Sequence, residues 1–301
     1  MELSERSSAI ANALDWTLPK ISRRHRVWRI VRDNPLGMIG LGIVVVLVFV
    51  AISAPVLAPY APDELGRRST QLLNPSASHP FGTDDLGRDM LSRVMYGARI
   101  SLMVGLLSVV FGTLVGTVIG IVAGYVGGII DAIISRVVDM AIAFPALLLL
   151  LILRQVMGPS AQTLIIAIGI AIIPGVSRVV RGEVVSQRNN QYVEAAITLG
   201  ASTPRILFRH IAPNIAALAI IVMTSLLGTA VLAEAALSFL GLGIPSSVTW
   251  GGDVNAARLS QHATIAWAFF PGAAIAITVL GFSLFGDALR DIADPRLRSQ
   301  R

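Results

Sequence analysis

The chain has 301 residues, 54% of them hydrophobic and 14% charged, with a mean hydropathy of +0.73. That balance is not one of a soluble globular protein, and the net charge of +6 gives no case for nucleic-acid binding, because the basic residues cluster beside apolar runs. The absence of cysteine excludes disulfides, thiolate metal sites and cysteine nucleophiles.

Residues 1–35 are polar, with Lys20, Arg23, Arg24, Arg26, Arg29 and Arg32 gathered just before the first apolar run. Basic density beside a membrane segment marks the cytoplasmic side, so this N-terminal segment is placed inside, with Trp16 and Trp28 suited to the headgroup level. The first apolar run begins near Leu36 and is too long for a cleavable signal, so residues 36–59 are read as the first transmembrane helix, with Pro55 and Pro59 at its exit. Residues 60–98 form an extracytoplasmic loop punctuated by Pro62, Asn74-Pro75 and His79-Pro80. Its last part sets Asp84, Asp85 and Asp89 against Arg88, Arg93 and Arg99 in a mixed-charge helical entry to the next span. The spacing of a calcium loop is missing there, and no metal site is assigned.

Residues 99–289 carry five more spans. In the second, about 100–130, Gly112, Gly116, Gly120, Gly124 and Gly128 recur every fourth position, which lets a neighbouring helix approach the backbone closely. The third, about 132–153, has Arg136 and Asp139 at pairing distance and Pro145 as a kink. The fourth, about 161–180, is expected to be interrupted at Pro174-Gly175 and ends on Arg178 and Arg181. A loop at 190–213 follows. The fifth span, about 214–242, contains Glu234, a carboxylate that is costly in an apolar helix unless it faces a cavity or a partner. It is a candidate for the pathway or a subunit interface, with a carboxylic acid bonded inside the bundle as the equal alternative. Residues 243–264 make a second outer loop with Trp250, Asp253, Arg258 and His262; the sixth span, about 264–285, has Pro271 near its start. The tail at 290–301, with Arg290, Arg296, Arg298 and Arg301, is placed in the cytoplasm. With six spans and both ends inside, about 17 of the 24 Lys and Arg residues lie on the cytoplasmic side; the opposite orientation inverts that bias.

The loop before the fifth span reads EAAITLGASTPRILFRHIAPN, from Glu194 to Asn214. Residues 191–199 can form about two helical turns, and Gly200 suits the left-handed residue that stops a helix. Thr203 and Pro204 suit a capping hydroxyl and the first position of a second helix, which carries Arg205 and Arg209 one turn apart. These residues resemble the EAA loop of permease subunits in ATP-binding cassette importers: Glu194, Ala195 and Ala196 match its opening, Gly200 its fixed glycine and Pro213 its closing proline. His210 and Ala212 depart from the general motif, and the FRHIAPN wording resembles the dipeptide/oligopeptide/nickel branch. HPFGTDDLGRDMLSRVMYGARISL and the GDALRD and DPRLR wording of the tail resemble the same branch, so the likeness extends from about Arg24 to Arg298.

The resemblance implies an all-α protein of the plasma (cell inner) membrane with the type I importer permease fold, six transmembrane helices and both termini inside. It implies a homologous permease sharing the pathway, two ATPase subunits on the cytoplasmic side and an extracytoplasmic substrate-binding protein. The ATPase-coupling residues it implies are Glu194, Ala195, Ala196, Gly200, Arg205, Arg209 and Pro213. No GxxxxGK[ST] phosphate loop is present, so the chain is read as no enzyme, with ATP and magnesium held by its partners. The substrate is read as di- or oligopeptides, with nickel or another small solute as the alternative. An ion-coupled carrier would show several ionisable residues within its spans and repeated halves, whereas Glu234 stands nearly alone. An intramembrane hydrolase would need a placed base, and His25, His79, His210 and His262 all fall outside the expected spans.

Overall fold

The computed structural model describes residues 34–245 and 247–293; Trp16, Trp28 and the distal tail lie outside them. Among these residues ten α-helices follow in order: α1 (Pro35–Leu57), α2 (Met90–Val126), α3 (Gly128–Ala143), α4 (Ala146–Met157), α5 (Ala161–Arg188), α6 (Gln191–Thr198), α7 (Thr203–Ile206), α8 (Ala212–Phe239), α9 (Trp250–Leu259) and α10 (Ile265–Ala293). A π-helical turn, Leu207–Ile211, joins α7 to α8. Among the described residues five segments are long and apolar enough to cross a membrane: α1, α2, α5, the run Thr203–Leu242 and α10. A sixth is obtained if α3 and α4, bent by 92°, count as one span.

The central packing is α2 on α5, and the glycine stripe makes it possible. A Cβ at Gly112 would stand 2.6 Å from the Gly169 carbonyl oxygen, and one at Gly120 2.7 Å from that of Ser177. At Gly116 and Gly124 it would meet the Cβ atoms of Val176 and Val184, each at 2.8 Å. Only hydrogen fits at these four positions, so the two backbones touch and gain dispersion contacts that lipid cannot match. Close approach recurs between α1 and α10, where a Cβ at Gly40 would lie 2.6 Å from the Phe285 nitrogen.

Two sequence expectations are corrected by the helices, and a third is filled in. Pro145 does more than kink the third span. Phe144 and Pro145 are extended, with ψ of 131° and 119°, and the helix breaks outright. A residue before proline is pushed away from the helical region, and the missing N–H leaves nothing to carry the ladder across. Pro174, by contrast, does not interrupt α5, which runs unbroken through it. There the neighbouring Ile173 and Val176 are clamped against Gly116, and that packing offsets the lost hydrogen bond. The second outer loop contains α9, hidden in the sequence by two glycines in its first turn and started by Thr249, whose hydroxyl accepts the Gly252 N–H.

Smaller corrections concern ends and pairs. The helical entry expected within the last part of 60–98 begins at Met90, after Asp89, whose carboxylate caps α2 by accepting the Ser92 N–H at 2.8 Å. Asp139 bonds Arg178 of α5 rather than Arg136, and Asp131 bonds Arg181, with one contact at 2.6 Å. Helix α3 lies along α5, and a guanidinium from the adjacent helix reaches the carboxylates more directly than a neighbour on the same helix. Ser202, not Thr203, takes the cap position of α7, without a side-chain bond.

Candidate coupling site

The segment between α5 and α8 is built from two short helices around one special residue. Helix α6 ends in the double bond of a Schellman turn: the Ala201 N–H reaches the Ala196 carbonyl at 3.0 Å and the Gly200 N–H that of Ile197 at 2.9 Å. Gly200 has φ +79°, in the left-handed region that a Cβ makes unfavourable. The chain then turns into α7 and the π turn, whose fifth-residue bonding pattern is rare and marks an irregular junction rather than a continuous helix.

One face of this segment is seated firmly. Val193, Ile206 and Ile211 are buried and pack with Val180 and Val184 of α5 and Ile215 of α8. A polar cluster ties the same three elements. Gln187 of α5 donates to Glu183 at 2.7 Å, and its carbonyl oxygen accepts from the Tyr192 hydroxyl of α6. Asn214 of α8 donates to that same oxygen at 3.2 Å and to the His210 carbonyl at 3.1 Å.

The other face is open. Leu199 is 87% exposed and Phe208 79%, and Ile197 is also exposed. Glu194, Ala195, Arg205, Arg209 and Pro213 are exposed as well, while Ala196 is half-buried. Glu194 lies in the first turn of α6, where a carboxylate complements the helix dipole. Sequence reasoning missed Leu199 and Phe208, although both are large apolar residues set among polar ones. It also missed Gln187, Tyr192 and Asn214, whose positions, far apart in sequence, gave no shared signal.

Glu234 sits elsewhere, enclosed by its own chain. It is fully buried on α8, accepts the Ser238 hydroxyl at 2.7 Å, and has the hydroxyls of Ser101 and Thr249 beside it. Its second oxygen, Oε2, has no partner among the described residues.

The opposite end of the molecule is a polar knot. Arg93 of α2 donates from Nε to Asp253 of α9 at 2.9 Å and from Nη1 to the Pro62 carbonyl at 3.0 Å. Burial pushes the Asp253 carboxyl up, and the Arg93 guanidinium opposes that shift. Asp84 accepts the Leu86 and Arg88 N–H groups and the Arg88 side chain, and Asp89 binds His79. Asp84 and Asp89 are spent on the chain's own donors, Asp85 is exposed, and no cluster suited to a metal occurs among the described residues.

Comparison with known proteins agrees with this architecture. Residues 116–299 match the family described as binding-protein-dependent transport system inner membrane component, and residues 22–75 match the N-terminal TM domain of oligopeptide transport permease C. A dipeptide transport system permease protein from Alkalihalophilus pseudofirmus is 40% identical over 280 residues, covering 93% of this chain and 92% of the relative. The oligopeptide transport system permease protein of Bacillus subtilis is 40% identical over 300 residues, covering 96% of each. A glutathione transport system permease protein from Escherichia coli is 38% identical over 296 residues, covering 97% of this chain and 98% of the relative. The chain therefore belongs to the family of inner membrane components of binding-protein-dependent transport systems, as a multi-pass permease subunit of an ATP-binding cassette importer that leaves ATP hydrolysis to separate subunits.

Proposed function

We propose that this subunit forms, with a homologous permease, the pathway for di- or oligopeptides delivered by an extracytoplasmic binding protein. In this reading, residues 194–213 carry the movements of two ATPase subunits into the spans. The peptide assignment draws on the relatives, named for dipeptide, oligopeptide and glutathione transport. The arginine bias supports placing the termini and residues 182–212 in the cytoplasm.

The single observation that carries the coupling role is the two-sidedness of the segment. One face is fixed to α5 and α8 by Val193, Ile206 and Ile211, and the other offers Ile197, Leu199 and Phe208 to solvent. A coupling element needs both: a stiff mount, so that force reaches the membrane helices, and an apolar ridge that fits a groove on a soluble partner. Glu194, Arg205 and Arg209 are exposed on the same segment, and Pro213 lies at the start of α8. Glu234, buried by this chain alone, is assigned to holding α2, α8 and the segment before α9 together rather than to the pathway.

Gly200→Asp tests the coupling role. Nothing lies within 4 Å of a Cβ at this position, so the substitution meets no clash. It costs roughly 1 kcal/mol through its positive φ and adds a charge beside the ridge. The variant is expected to insert in the membrane but to lose the ATPase subunits, or to keep them without substrate-stimulated hydrolysis and uptake in reconstituted vesicles. Unchanged co-purification, hydrolysis and uptake would remove this segment from the coupling role.

A further inference from the structure

The bend between α3 and α4 is incompatible with either solvent that a membrane protein meets. Residues 142–148 form an unbroken exposed run. Within it Ile142, Phe144, Leu147 and Leu148 are each between 43% and 50% exposed. The hydrogen-bond ladder of α3 closes with the Phe144 N–H on the Ala141 carbonyl and resumes only with the Leu149 N–H on the Pro145 carbonyl. Between those bonds Pro145 has no N–H, and the N–H groups of Ala146, Leu147 and Leu148 precede the first bond of α4. The carbonyls just before Pro145 lose their usual donors in the same way.

The depth of this break makes it consequential. Phe144 and Leu149 line a groove of about 800 Å³ together with Val122, Val137, Ile170 and Ile173. Ile170 and Ile173 lie near the middle of α5, which runs from Ala161 to Arg188. Irregular backbone at such a depth is tolerated only where protein or a water-filled cavity covers it, so lipid is excluded. The run of large apolar side chains is equally ill suited to water. Only protein satisfies both requirements, and no other described part of this chain covers the run.

We propose that the bend at residues 142–148 and its apolar groove seat a transmembrane helix of the second, homologous permease subunit. A transmembrane helix supplies apolar side chains to fill the groove. Its hydroxyl or amide side chains can satisfy the carbonyls and N–H groups freed at Pro145. The proposal rests on the reading above that such a permease accompanies this chain; what it adds is the surface.

The natural chain has no cysteine, which makes a clean test possible. Phe144→Cys and, as a second variant, Leu147→Cys are labelled with a nitroxide in the complete importer, its other subunits freed of reactive cysteines, in lipid nanodiscs. Collision with oxygen reports lipid, and collision with a water-soluble nickel chelate reports water. At both positions we expect low collision with both reagents, and oxygen collision that rises severalfold when the chain is purified without the second permease. Benzoylphenylalanine at Leu148 is expected to give a photo-adduct with the homologous permease. High oxygen collision in the complete importer would place the bend against lipid, and high chelate collision would place it on the aqueous pathway; either overturns the assignment. A Leu148 adduct formed only with a different chain overturns it too. A wild-type importer that contains no second permease would overturn this surface together with the reading on which it rests.

Discussion

The two polar ends of the molecule solve opposite problems. At the end formed by residues 60–89 and α9, the buried charged groups are answered by the chain itself: Arg93 by Asp253, Asp84 by Arg88, Asp89 by His79 and Ser92. Two tryptophans, Trp250 and Trp267, are almost wholly buried there. At the end formed by residues 190–213 the chain leaves Leu199 and Phe208 in solvent, among charged side chains it does not pair. One region is a finished cap whose polar groups are used internally. The other is a mounted but unfinished surface, and a surface of that kind is completed by another protein. The difference teaches where to separate folding from assembly: damage to the first end should be read in stability, and damage to the second in partnership.

The largest stability effect is therefore expected at Asp253. Asp253→Ala leaves the Arg93 guanidinium buried with only the Pro62 carbonyl and the exposed Asp63 for company. Removing one partner of a buried ion pair costs on the order of 3–5 kcal/mol. The melting temperature of the purified subunit in detergent is expected to fall sharply. The double change Arg93→Met with Asp253→Leu is expected to regain most of the loss, because replacing both charges removes the desolvation cost. A melting temperature unchanged in Asp253→Ala would mean that the cap is no more self-sufficient than the opposite end, and the contrast between the two would collapse.

How far these features were legible in the sequence follows from whether their cause is local. The apolar runs of α1, α2, α5, α8 and α10 announce themselves because a membrane span needs nothing beyond length and composition. Gly200 was legible for a similar reason: a single residue without a Cβ fixes the turn. Pro145 and Pro174 show the limit. The same residue breaks one helix and leaves another intact, because Val176, just past Pro174, packs against Gly116 while Pro145 is exposed. No window of sequence around either proline contains that information. The partners of Asp131 and Asp139 were hidden for the same reason, since they lie about forty to fifty positions away on α5. Helix α9 was hidden by its glycines, and among its anchors is Trp250, which donates to the Val94 carbonyl at 2.8 Å.

A smaller effect sharpens the comparison from the mounted side. Tyr192→Phe removes one hydroxyl from the cluster that joins α6 to Gln187 of α5 and, through it, to Asn214 of α8. The group is partly exposed, so the stability cost is expected to stay below about 1 kcal/mol. If the cluster stiffens the mount, the variant keeps its ATPase subunits and their basal hydrolysis but shows weaker stimulation by substrate. Equal stimulation in the variant and the natural chain would assign the mount to the apolar contacts of Val193, Ile206 and Ile211 alone.

The smallest stability effect should accompany one of the larger functional ones, at Leu199 and Phe208. Both side chains are mostly in solvent, so Leu199→Ser and Phe208→Ser remove little that the isolated subunit uses. Surface substitutions of this kind usually stay within about 0.5 kcal/mol. In the assembled importer the same side chains would lie in a groove of the ATPase, where a few apolar anchors carry most of the binding energy. The double variant is therefore expected to melt at the same temperature as the natural subunit and to lose the ATPase subunits on co-purification. Arg205→Ala and Arg209→Ala, at the rim of the same surface, should weaken association less and in a salt-dependent way. The informative pairing is with Asp253→Ala, which is expected to melt early yet retain the ATPase subunits under conditions where it is folded. If the serine variants melt early instead, Leu199 and Phe208 belong to the fold of the subunit. If they melt normally and still hold the ATPase subunits, the exposed ridge is not the surface on which those subunits dock.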